Sequence, residues 1–186
     1  MTTDWHTTLP GLHTRAWDIL TRGPADRHSP ARHIALATTA PDGTPELRTV
    51  VLRAADRTAA TLDIHTDLRS AKVAALRHTP TAQTLVWDPR AHLQIRATGT
   101  AAILTGPEAA ALWARVPEAS RPAYGATPPP GTPITEALAY THTDGAAAFA
   151  VIRLTLTTLD LLHLGDHHRR ARYDRADDWR GQWLSP

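Results

Sequence analysis

The sequence predicts a mainly β fold, an antiparallel barrel with flanking helices. About seven extended runs follow one another, most joined by short turns that suit up-and-down pairing. Helical segments interrupt the series without alternating with it, so a doubly wound parallel sheet does not fit. No internal repeat or inter-domain boundary is visible in the sequence. The 186 residues read as one unit, with an N-terminal helical segment (1–29) and closing strands (157–186).

Each element has its own signal. Leu12, Ala16, Ile19 and Leu20 form an apolar stripe at helical spacing, and Pro24 ends it. Residues 33–39 read as a strand, turned by Pro41-Asp42-Gly43-Thr44 into a β-branched run from Leu47 to Leu52. Thr61–Thr66 is a third strand. Residues 69–78 then form a short helix with Val73 and Leu76 inward and Pro80 beyond its end. Thr84–Trp87 turns at Asp88-Pro89-Arg90 into a long run, His92–Leu104, with Gly99 as a candidate bulge. Pro107 opens a helix containing Leu112 and Trp113. Residues 117–133 are proline-rich and read as an ordered surface loop, followed by a short helix over 133–140. Ala148–Leu156 and Leu159–Leu164 read as two strands, and the tail from Tyr173 to Trp183 as a last one.

Composition narrows the chemistry. Apolar residues make up 42% and charged residues 20%, which is ordinary for a globular protein with a real core. The absence of cysteine excludes disulfides, thiolate metal sites, iron–sulfur clusters and cysteine nucleophiles. A formal charge of +2, with basic residues scattered, gives no reason to expect a nucleic-acid partner. No run approaches the ~20 apolar residues of a membrane span. Met1-Thr2-Thr3-Asp4-Trp5-His6 has no basic leader before an apolar stretch. A cytoplasmic protein is expected.

The basic residues carry the sharpest local signal. Lys72 is the only lysine, in a chain that otherwise uses arginine for its cations. It lies in Thr66-Asp67-Leu68-Arg69-Ser70-Ala71-Lys72, where a strand gives way to a helix. An ammonium, a guanidinium and two hydroxyls at a helix start suit a phosphate group. Asp67 is positioned to cap the helix, and Arg69 and Lys72, three apart, share a face. The alternative is that both cations extend into water with Asp67 as partner. Arg48 and Arg53 bracket an apolar strand core and, by alternation, point to opposite faces. Gln94 can both donate to and accept from the edge of a heterocycle. His163, His167 and His168 invite a metal or haem reading, but neighbouring strand residues point to opposite faces and make poor joint ligands.

In order and spacing, R-T-V-V-L-R (48–53), H-T-D-L-R-S-A-K (65–72), W-D-P-R (87–90) and L-Q-I-R-A-T-G (93–99) resemble the pyridoxamine 5'-phosphate oxidase superfamily of FMN-binding split barrels. The resemblance is to its oxidase-related FMN-binding branch. The segments W-A-R-V-P-E-A-S-R-P and W-R-G-Q-W-L-S-P extend it over roughly residues 30–186. It implies a six-stranded split barrel, FMN as cofactor, and a homodimer with FMN between the subunits. It further implies that Arg48, Thr66, Ser70 and Lys72 grip the FMN phosphate with Arg69 as helper. Thr49, Val50, Val51, Leu52 and Arg53 would line the flavin, with His65 preceding the phosphate threonine, Gln94 at the ring's polar edge and Arg170 reaching the flavin. Arg53, Ser120 and His168 would face the substrate.

The chain also departs from the oxidase pattern. Ser70-Ala71-Lys72 stands where the oxidase has S-R-K, and Arg53 replaces a substrate-phosphate lysine. Leu112 and Val116 fall near the positions of its anion-binding tyrosine and arginine, while Ser120 keeps the serine of that group. Asp166-His167-His168 replaces R-x-H. The resemblance thus implies an FMN-dependent oxidoreductase acting on another small molecule. A flavin-binding module without turnover, or the oxidase itself, are the other readings. No side chain is required as acid or base, so none is assigned as catalytic.

Overall fold

Thr8 begins the first helix by accepting a hydrogen bond from the Gly11 amide, and Pro10 suits the first turn. This helix, α1 (Leu9–Arg22), buries Leu12, Ala16, Trp17, Ile19 and Leu20 in the main core. The computed structural model describes residues 4–186; residues 1–3 of the predicted N-terminal segment lie outside the described residues. After α1 come β1 (His33–Thr39), β2 (Pro45–Asp56), β3 (Thr61–Asp67), α2 (Ala71–His78), β4 (Thr81–Asp88) and β5 (Leu93–Leu104). Then follow α3 (Gly106–Trp113), the paired two-residue strands β6 (Ala126–Thr127) and β7 (Thr141–His142), β8 (Phe149–Leu164), β9 (His168–Asp174) and β10 (Gln182–Leu184).

Strand order closes the sheet. β8, β3, β2, β1, β4 and β5 lie side by side, and β5 pairs back onto β8 to complete a six-stranded antiparallel barrel. β8 makes this possible by its length. Its first half pairs with β3, its second half with β9, and nearly all of it with β5. The fold is thus the expected split barrel with flanking helices.

Three local expectations need correction. The strands expected over 148–156 and 159–164 are one continuous β8, which absorbs a register shift opposite Thr98/Gly99. Gly99 is required there, because a Cβ would lie 2.2 Å from the Thr155 carbonyl oxygen. No helix forms over 133–140. Pro133 and Thr135 are poor helix formers, and Ile134 and Leu138 stay exposed, so no buried face drives helix formation. The tail yields a β9–β10 hairpin in place of one strand.

Two hydrophobic clusters result. The main one fills the barrel and the space under α1. The smaller one gathers Ala109, Val116, Tyr124, Phe149 and Val151, with Leu104, Leu112 and Trp113 packed against it.

Candidate functional site

The end of β3 and the start of α2 build a polar cradle. On β3, Leu62, Ile64 and Thr66 share the barrel-facing side, so Thr66 sits buried at the mouth of the barrel. Its hydroxyl lies 3.2 Å from the Ser70 hydroxyl and accepts a hydrogen bond from Lys72 Nζ at 3.1 Å. Ser70 occupies the N-cap position of α2 with extended backbone, yet its side chain makes no capping bond. A capping bond is worth about 1 kcal/mol. The serine forgoes it and presents its hydroxyl beside Thr66 instead.

Arg48 follows the same inward phase of β2 as Val50 and Leu52. Its guanidinium donates to Thr38 Oγ1 at 2.6 Å and pairs with the Glu46 carboxylate. Lys72 has no carboxylate in ion-pair contact among the described residues. Burial lowers its pKa, and the nearby Arg48 lowers it further. An ammonium so placed gains from an anion, because the anion removes the cation–cation repulsion and compensates desolvation.

Thr49, Val50, Val51, Arg53, His65, Thr66, Asp67, Ser70 and Lys72 line one cavity of about 340 Å³. The structure therefore gathers most of the sequence-predicted site. Leu52 is wholly buried in the barrel core beside it. Arg53 is the extra residue of a bulge, since Leu52 pairs with Ile64 and Ala54 with Asp63. Such a bulge re-aims the side chain it carries. Burial holds the His65 pKa down at about 4, helped by the Arg53 charge, so the ring is neutral at physiological pH.

Arg69 takes a different place. It precedes α2 and turns back to Asp67, with bonds of 3.0 and 2.7 Å, and also donates to the Ala126 carbonyl at 2.9 Å. Asp67 does not cap α2; its carboxylate accepts from the Arg69 and Gly125 amides as well. Burial opposes its ionisation, but these hydrogen bonds prevail and keep its pKa low.

Gln94 and Arg170 stand on one rung across β5, β8 and β9, because Gln94 pairs with Leu162 and Leu162 with Arg170. Thr66 pairs with Ala150, twelve residues earlier on β8, or roughly 40 Å along the strand. One protomer thus holds the cradle and the Gln94–Arg170 rung at different ends of β8. Arg170 is engaged with Asp160, which also binds Arg96. His168 is exposed on β9, and Ser120 is half-buried in a short 3-10 helix (Glu118–Ala123), outside the cavity lining. No group of three or more metal-ligating side chains is present among the described residues.

Tyr124, Ala123 and Pro130 complete the cavity wall, and sequence reasoning missed all three. They come from the proline-rich loop, whose irregular backbone gives no periodicity to follow. Leu112 and Val116 belong to the smaller apolar cluster and supply no donor to the cavity.

The hydroxyl-and-ammonium cradle at the mouth of this closed antiparallel barrel has the chemistry that suits a phosphate group. Residues 14–105 match the family model for the pyridoxamine 5'-phosphate oxidase FMN-binding domain. The chain is similar to a pyridoxamine 5'-phosphate oxidase-related, FMN binding protein of Nostoc punctiforme PCC 73102, with 27% identity, a TM-score of 0.77, and coverage of 93% of this chain and 96% of that one. PhzG of Burkholderia lata 383, solved with tetrahydrophenazine-1-carboxylic acid, shares the fold at 23% identity and a TM-score of 0.71, over 97% of this chain and 91% of its own. Pyridoxine/pyridoxamine 5'-phosphate oxidase 2 of Arabidopsis thaliana is 37% identical over 73 residues, which is 38% of this chain and 37% of that protein. The chain belongs to the pyridoxamine 5'-phosphate oxidase-like superfamily of FMN-binding split barrels, and its cofactor is FMN. The cradle fits that cofactor, since a phosphate monoester supplies the anion that Lys72 lacks. Among the described residues no helix is long and apolar enough to cross a membrane.

Proposed function

We propose that this protein is an FMN-dependent oxidoreductase of small molecules, working as a homodimer with FMN between the subunits. The observation that carries the reading is the Lys72 ammonium, bonded to Thr66 beside the Ser70 hydroxyl and in ion-pair contact with no carboxylate among the described residues. Bound FMN supplies reversible hydride and electron transfer, while the protein supplies grip, orientation and polarity. Lys72, Arg48, Thr66 and Ser70 hold the phosphate. Thr49, Val50 and Val51 form the wall along the ring, with Leu52 buried behind them, and neutral His65 adds a polar edge without charge.

Two features of the barrel's outer face support the dimer. Thr49, Ala35, Leu85, Arg96, Asp160 and Arg172 form one continuous outward rung, so the cavity edge at Thr49 runs directly into that face. Leu47 and Trp87 lie exposed on the same face, at 70% and 44%. A second copy there covers this apolar surface and brings its own Gln94 and Arg170 towards the flavin, uniting groups that one protomer keeps apart. Leu112 and Val116, enclosed in apolar packing, disfavour the oxidase reaction itself.

Anaerobic mixing with NADH or NADPH tests the enzyme reading. Bleaching of the bound flavin faster than that of free FMN supports it. Inertness towards a range of donors, with flavin bound, makes the protein a flavin-binding module. Formation of pyridoxal phosphate from pyridoxamine phosphate under oxygen contradicts the assigned substrate exclusion.

A further inference from the structure

The cavity has two cationic ends. At one, Lys72 is influenced by Arg48; at the other, Arg53 acts on both His65 and Tyr124. Arg48 and Arg53 are five residues apart on β2, roughly 16 Å along an extended strand. One phosphate cannot serve both. Arg53 makes no ion pair among the described residues, and its Nε is buried without an acceptor. An unpartnered buried guanidinium nitrogen is costly, so its retention needs a reason.

Tyr124 faces the same end. It is 5% exposed, packs edge-on against Trp113 and Phe149, and lines the cavity beside Arg53. Burial pushes the phenol pKa up against the opposing charge and hydrogen bond of Arg53, so at neutral pH the protonated hydroxyl beside Arg53 keeps its proton to donate. Its placement is enforced from the cradle side. Asp67 accepts from the Gly125 amide and Arg69 donates to the Ala126 carbonyl, fastening the two residues that follow Tyr124.

We propose that Arg53 and the Tyr124 hydroxyl form a seat for the carboxylate of an apolar organic acid, the substrate of the flavin pocket, and that the Asp67–Arg69 pair positions Tyr124 for it. This rests on the flavin reading of the cavity. The seat offers one charge and one neutral donor. A guanidinium fork matches the two coplanar oxygens of a carboxylate. A phosphate dianion would leave its second charge facing neutral His65. With Val50 and Val51 against the flavin ring, Ala123 and Pro130 on the loop side suit an apolar body.

The test titrates FMN-loaded protein at pH 7 with benzoate, benzamide and phenyl phosphate, read by calorimetry and by the flavin absorbance band. Benzoate is expected to bind and shift the band, with benzamide at least about tenfold weaker, as for loss of one charge-assisted contact. Tyr124→Phe should weaken benzoate about tenfold with a smaller change in FMN affinity. Arg69→Ala should weaken benzoate, and Arg69→Lys should restore it only in part. Equal benzoate affinity in the wild type and Tyr124→Phe overturns the seat, as does equal affinity for benzamide. Tighter binding of phenyl phosphate overturns the carboxylate class. If the protein takes up no FMN, the flavin reading fails, and the same calorimetric series on the apoprotein still decides whether the seat exists.

Discussion

Two groups of cations occupy this barrel, and they are solved differently. On the outer face, Asp160 sits between Arg96 and Arg170 at 2.6 and 2.8 Å. Although burial opposes its ionisation, the Arg170 and Arg96 contacts keep its pKa low. Asp63 likewise takes both bonds of Arg153. In the cavity, Lys72 leans on a hydroxyl and Arg53 Nε has no acceptor among the described residues. Arg48 and Arg170 stand between the two groups, each engaged with one carboxylate, Glu46 and Asp160, beside the proposed site. A cation supplied with its own acid holds strands together, while a cation left short of one, beside ready hydroxyl donors, is built for an anion from outside.

The contrast can be broken most severely at the cradle. Replacing Lys72 and Arg48 together by alanine should weaken FMN binding by at least about a hundredfold, because charge-assisted hydrogen bonds contribute about 1.5–3 kcal/mol each. Fluorescence titration of FMN reads this directly, and thermal melting of the apoprotein checks that the barrel still folds. Retention of stoichiometric flavin by that variant would count against the cradle.

A charge placed on the outer face comes next. If the proposed dimer forms through this face, Trp87→Asp should convert it to monomer in sedimentation velocity and weaken FMN by about tenfold or more, since the partner's share of the site is then missing. Tight flavin binding by a monomer would contradict the shared site.

Removing the acid from the paired group should act on stability instead. Asp160→Asn leaves Arg96 and Arg170 facing each other and should cost about 1–2 kcal/mol in denaturant unfolding at pH 7. The sign of the pH effect follows from the lowered folded-state pKa. Below the ordinary value of 3.8 the unfolded chain takes up the proton first, so this stabilisation is present above pH 3.8 and fades as the pH falls through the folded value. The variant should therefore converge on the wild type in acid. A constant difference down to the lowest pH would place its origin elsewhere.

The smallest expected effect separates Arg69 from Lys72. Arg69→Ala should change FMN affinity by less than about threefold, because its guanidinium is already committed to Asp67 and to an exposed carbonyl. It should speed limited proteolysis of the 126–142 loop, whose anchor it removes. A large loss of FMN would instead return Arg69 to the phosphate grip.

The strands were legible because alternation and turn residues agree, as in β1 and in the Pro41–Thr44 turn. The cradle was legible because Thr66, Ser70 and Lys72 are close in sequence and share a strand-to-helix junction. What escaped depends on distance along the chain. Nothing near Arg69 announces that the Ala126 carbonyl awaits it, and nothing in the proline-rich loop marks Tyr124 as a wall of the cavity. The joining of two expected strands into β8 was hidden by the irregularity opposite Gly99, which breaks the alternation without ending the strand. The bulge at Arg53 similarly defeats simple alternation, which gives its face but not its aim.

The most direct measurement compares two ligands that differ only in the phosphate. Calorimetric titration of the flavin-free protein should show FMN binding at one per protomer, with riboflavin at least about a hundredfold weaker because Lys72 and its hydroxyls have nothing to hold. Equal affinity for the two flavins, or no binding of either, would contradict the account.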